Sequence, residues 1–154
     1  MKSQKSEKEV DRVAILYNKK DYTKQQLTTC FRQSFPDFKN LKLDLITFVP
    51  QKQEDADEEI YVFSKKDFNF FSKLKTEELK SLKGRTYQLI FNLFHEESVY
   101  LQLMNSYLKA GFQIGVSDLE QNQMILRTPS NQPKAFFDEA AKYLKHITYE
   151  SHTI

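Results

Sequence analysis

Apolar residues in this chain gather into short runs that alternate with stretches of helical spacing. Val13–Tyr17 (VAILY) is an unbroken apolar run, the signature of a strand buried on both faces. Polar Asn18–Asp21 follows, and then Leu27, Cys30, Phe31 and Ser34 fall on one face of a helix predicted over Thr23–Ser34, with Pro36 beyond its end. Leu43–Val49 reads as a second strand and Ile60–Phe63 as a short third. Between them lies QKQEDADEE, an acidic solvated loop over 51–59. A brief helical stretch is expected around Thr76–Leu82, closed by Lys83 and Gly84. Tyr87–Leu93 is a strong strand, and a helix over Glu96–Ala110 follows with Tyr100, Leu103, Met104, Tyr107 and Leu108 on its apolar face. Glu96 and Glu97 in its first turn and Lys109 in its last would suit the helix dipole, with Gly111 as a left-handed C-cap. Phe112–Val116 and Met124–Thr128 read as strands. Pro133, preceded by capping candidates Ser130 and Asn131, opens a last helix faced by Phe136, Phe137, Ala140, Ala141, Leu144 and Ile147.

Alternating strands and helices predict a single three-layer α/β domain, a mostly parallel sheet of about five strands with helices on both faces. Only about seven residues separate the last two strands. That link is too short for a helical crossover, so an antiparallel edge strand is expected there. The domain is read as 11–148, flanked by tails at 1–10 and 149–154.

With 154 residues, 40% apolar and 14% aromatic, the chain has material for a full core. Its 23 basic and 21 acidic residues leave a net charge of +2, too small a field to recruit nucleic acid or a membrane. Cys30 stands alone, so no internal disulfide forms and no cysteine-based metal site is expected. No signal peptide precedes the first strand, and no apolar run nears the ~18 residues of a membrane span. A cytoplasmic protein is expected.

Phosphate binding at a strand–helix turn uses glycine to free backbone N–H groups. The three glycines stand at 84, 111 and 115, none before a helix, and Glu96 and Glu97 would repel a phosphate. No cofactor is predicted. In open α/β sheets, ligands sit at the carboxyl ends of the strands. There the sequence places Asn18–Asp21, Asn92, His95, Glu96, Ser117 and Asp118. His95 paired with Glu96 or Asp118 would make a general acid/base couple, although polar loops occupy that edge in any such fold. A second candidate is 64–75, where Lys65, Lys66, Lys73 and Lys75 interleave with Phe68, Phe70 and Phe71, alongside Asp67 and Asn69. Aromatic stacking with phosphate pairing would make it a single-stranded nucleic-acid strip. The plainer reading is a crossing segment anchored by its phenylalanines, with its lysines solvated. His146 and His152 lack metal-ligand spacing.

The stretches VAILYNKKDY, VFSKKDFNFFSKLK and YQLIFNLFHEESVYLQLMNSYLKAGFQIGVSD resemble a family of short bacterial proteins of unknown function, over roughly residues 13–147. That resemblance implies no activity and no catalytic residue. Over about thirty residues, the strand–helix–strand unit is also similar to heptosyltransferase-like glycosyltransferases. Asn92-Leu93 stands where their strand ends "D-L", and Gln113-Ile114-Gly115 where the next reads "R-I-G". Those enzymes hold the sugar-nucleotide donor in a second domain that this chain is too short to contain, so this likeness implies a half-fold without transferase activity.

The leading expectation is a non-catalytic protein that binds a protein partner or small ligand. The alternatives are a small enzyme using His95 and Asp118, and a nucleic-acid accessory protein using 64–75. An unpaired edge strand would also allow pairing with a second copy into a homodimer.

Overall fold

A computed structural model describes residues 12–38, 41–49, 60–68, 80–129 and 131–153. Six strands form one sheet: β1 (Arg12–Asn18), β2 (Lys42–Phe48), β3 (Ile60–Phe63), β4 (Thr86–Leu93), β5 (Lys109–Gly115) and β6 (Met124–Ile125). Their order is β3-β2-β1-β4-β5-β6, and every neighbouring pair is parallel. Among the described residues three α-helices accompany them: α1 (Lys24–Ser34), α2 (Val99–Asn105) and α3 (Pro133–Thr153).

The central strands β1 and β4 explain the unbroken apolar runs. Val13, Ile15 and Tyr17 face one core with α1 and α3, while Ala14 and Leu16 face a second core with α2. On the first side Phe31, Phe91, Phe136 and Phe137 pack edge to face, with centroids 5.2–6.1 Å apart. On the second, Leu101 and Met104 of α2 meet Ile46, Phe63, Phe68 and Ile90. Helices therefore cover both faces of the sheet. α1 starts cleanly because Thr23 and Gln26 form a capping box: the Gln26 N–H donates to Thr23 Oγ1 at 3.1 Å, and the Thr23 N–H to Gln26 Oε1 at 3.4 Å.

Two expectations are corrected. The edge strand β6 is parallel, not antiparallel. Only Met124 and Ile125 pair, opposite Ile114 and Gly115, so the chain need retreat by only two residues, which eight linking residues allow. A turn closed by Asn122 N–H to the Leu119 carbonyl makes the reversal. The second correction concerns α2, which spans seven residues rather than fifteen. Its end tightens into shorter-range bonds, Tyr107 N–H to Met104 O and Leu108 N–H to Asn105 O, and Lys109 already opens β5. Gly111 lies inside that strand, where a Cβ would press on the Gln88 carbonyl at 3.3 Å; glycine serves close strand approach here, not a cap. The left-handed glycine is Gly84, at φ 78°. Most of the helical stretch expected around Thr76–Leu82 lies outside the described residues.

Candidate functional site

Strand order reverses between β1 and β4: from β1 the chain builds outward through β2 and β3, then returns to β1's other side to build β4, β5 and β6. In sheets of this kind the loops leaving the two strands at such a reversal run in opposite directions, and ligands bind in the crevice between them at the carboxyl edge. One hydrogen bond joins the end of β1 to the start of α2 here, from Asn18 Nδ2 to Ser98 Oγ at 3.0 Å. Ser98 occupies the N-cap position of α2, yet its hydroxyl makes no cap bond. Both residues are half-buried. The β1 loop turns through Asp21 N–H to the Asn18 carbonyl at 2.9 Å, leaving Lys19, Lys20 and Asp21 exposed. The β4 loop carries exposed His95, Glu96 and Glu97 and is held by Gln102 Nε2 donating to the Glu96 carbonyl at 2.6 Å.

The β5 loop joins this assembly. Ser117 is buried and donates to the Phe94 carbonyl at 3.1 Å, while neighbouring Asp118 is exposed. No hydrogen bond or ion pair joins His95 to Glu96 or Asp118 among the described residues. Asn92, wholly buried in β4, lies beneath the loops in a network of amides. Its Nδ2 donates to Gln113 Oε1 at 2.9 Å and to Asn122 Oδ1 at 2.8 Å, and its Oδ1 accepts from Asn105 Nδ2 at 2.9 Å. Asn105 also donates to Gln113 Oε1 at 2.9 Å, and Asn122 to the Ser117 carbonyl at 3.0 Å. The network fixes the β5 loop, and Gly115 has no side chain because a Cβ there would overlap the Asn122 carboxamide.

The Lys/Phe segment follows β3, on the far side of β2 from the crevice. Lys65 and Lys66 are exposed on a single 3-10 turn, Lys65–Asp67. Asp67 is buried as the cap of that turn, its carboxylate accepting from the Ser64 N–H at 2.7 Å. Phe68 is buried against Phe63, Tyr100 and Tyr107, with centroids 5.8–6.3 Å away. Asn69, Phe70, Phe71, Lys73 and Lys75 lie outside the described residues.

Of the sequence candidates, Asn92, His95, Ser117 and Asp118 thus gather around the loops after β4 and β5, while Lys65, Lys66 and Asp67 stand apart. Ser98, Asn105, Gln113 and Asn122 escaped sequence reasoning. A signal existed for the amides: Asn92 interrupts the apolar run of β4, and a polar side chain at a core position needs partners. Among the described residues, no group of three His, Cys, Asp or Glu is placed to hold a metal, and no helix is long and apolar enough to cross a membrane.

The fold is a doubly wound parallel α/β sheet, in the strand order that dinucleotide-binding proteins share but without their glycine-rich first turn. Residues 1–147 match the family of unknown function DUF6913, and the chain belongs to that family. No curated protein and no solved structure matches it significantly, so the likeness to glycosyltransferases finds no support.

Proposed function

We propose that this is a cytoplasmic, non-catalytic protein that binds a small polar ligand in the crevice between the loops after β1 and β4. The observation that carries this reading is the Asn18–Ser98 hydrogen bond across the point where strand order reverses. Its two half-buried groups can exchange one mutual bond for bonds to a ligand at little net cost. Asn92 and Ser117, the buried polar groups nearest the loops, are spent on internal bonds that stiffen the floor. His95 and Asp118 stand exposed on separate loops, an arrangement that suits contact with a ligand better than concerted proton transfer. A lone cysteine with no partner for a disulfide accords with the reducing cytoplasm.

A thermal-shift screen of the full chain against nucleotides, sugars and common metabolites tests this. A ligand at a hundredfold its Kd adds about 2.7 kcal/mol, several degrees for a domain this size. The expected result is a hit whose stabilisation disappears in Asn18→Ala while the ligand-free melting point barely moves. Hits indifferent to Asn18→Ala and Ser98→Ala would sink the reading. Turnover of a ligand that stops on His95→Ala would replace it with an enzyme, and a flat screen would favour a protein partner.

A further inference from the structure

The opposite, amino edge of the sheet carries a second polar cluster. Asp44 of β2 is buried, and its Oδ2 alone accepts three bonds: from Arg12 Nη1 at 2.9 Å, Arg85 Nη1 at 3.0 Å and the Tyr87 hydroxyl at 2.7 Å. Arg85 Nη1 also donates to the Tyr61 hydroxyl at 3.1 Å, and its guanidinium lies 5.7 Å from the centre of the Tyr61 ring. Register gathers these groups at one end of the sheet: Val13 pairs with Leu89 and Ala14 with Asp44, so Arg12, Asp44, Arg85 and Tyr87 all lie at or just before the amino ends of their strands.

Two features of this cluster exceed what stabilising one buried carboxylate requires. A single guanidinium satisfies a carboxylate with two parallel bonds. Here each arginine touches Asp44 end-on through one nitrogen, so Nε and Nη2 of both forks have no partner among the described residues. Their side chains are 25% and 23% exposed, enough for those donors to reach solvent. Among the described residues the charge is also uneven: two arginines share one carboxylate, Tyr87 is a neutral donor, and exposed Lys42 opens β2 on the face that carries Asp44.

We propose that Arg12 and Arg85 form an oxyanion site that takes the phosphate group of a small molecule. Asp44 holds both arginines on one oxygen and Tyr61 holds Arg85 a second time, so less side-chain freedom is left to lose on binding. A phosphate dianion offers oxygens to the outer edge of each fork and adds negative charge beside the two arginines. Lys42 adds long-range attraction.

Calorimetric titration of the full chain with inorganic phosphate and with glycerol phosphate, at ionic strength matched with sodium chloride, tests the site. Saturable binding is expected, weakened at least tenfold by Arg12→Gln and also by Arg12→Lys, which keeps the charge but loses the fork. The surface variant Lys134→Gln should bind as wild type does. Titration of the wild-type arginine Nε–H resonances needs no variant: those of Arg12 and Arg85 should move with phosphate. Tighter glycerol phosphate would assign a phosphorylated metabolite, equal affinities free phosphate. Absence of saturable binding, unchanged affinity in a folded Arg12→Gln protein, or arginine resonances that stay still would each overturn the proposal.

Discussion

Asn92 shows how much a single side chain can organise. It is wholly buried, yet it joins α2 through Asn105 to the β5 loop through Asn122. Replacing it by the similarly sized Leu strands partners already desolvated, at a cost of about 2–4 kcal/mol. Asn105→Leu should cost a similar amount, and the double variant less than the sum, because the second change removes a group the first had orphaned. Urea denaturation of the three variants measures this. Tyr22 gives a different kind of prediction. Burial, with the Asp21 carboxylate beside it, pushes its phenol up to about 12 from the ordinary 10. A group whose folded pKa is raised contributes stability that is full below its unfolded pKa and lost as pH rises through the folded one. Stability should therefore fall between about pH 10 and 12, and Tyr22→Phe should flatten that decline by an amount on the order of 2 kcal/mol, read from urea midpoints across the range. Burial, then Asp44, raises the Tyr87 phenol as well, so some alkaline loss remains in the variant. Neither the partners of Asn92 nor those of Asp44 were legible in the sequence, since each lies on a separate element or loop brought near only by the fold.

Elements were legible where burial is two-sided. VAILY and the run through β4 read as strands because helices cover both faces of the sheet. α1 was legible from its stripe, and its capping box, Thr23 with Gln26, gives a direct test: Thr23→Ala should cost about 1 kcal/mol. A thermal melt reads that loss. α2 was overextended because Tyr107 and Leu108 continue a helical stripe that the backbone abandons. In β4 and β5 the facing pattern changes phase: Tyr87 and Ala110 join the α2 core, whereas Leu89 and Phe112 join the other. Gln88 and Gly111 sit between, in close contact. A residue with a Cβ at 111 would crowd that contact, so Gly111→Val should destabilise by about 1–3 kcal/mol, checked by chemical denaturation.

Across the whole molecule, class and layering followed from the alternation of elements, but strand order did not. Nothing local distinguishes a β4 that adds beside β1 from one that adds beside β3. Nor did the pattern disclose a parallel β6, since two residues of pairing leave almost no periodicity. Yet strand order is what places the candidate site, because it sets the reversal between β1 and β4 that brings Asn18 to Ser98. The sequence separated the polar residues at the carboxyl edge from the segment after β3; what it did not disclose is the amide network that ties Asn92 to Asn105, Gln113 and Asn122. The two proposed sites lie at opposite edges of the sheet, so each can be lost without the other.

The most direct measurement is residue-resolved amide NMR of the full chain, titrated with the best-stabilising compound from the thermal-shift screen. Binding at the reversal point predicts shifts concentrated in Asn18–Asp21 and Phe94–Ser98, saturating together and abolished by Asn18→Ala, with the ligand recovered unchanged. Shifts centred on Ser64–Phe68, or a ligand consumed during the titration, would contradict it.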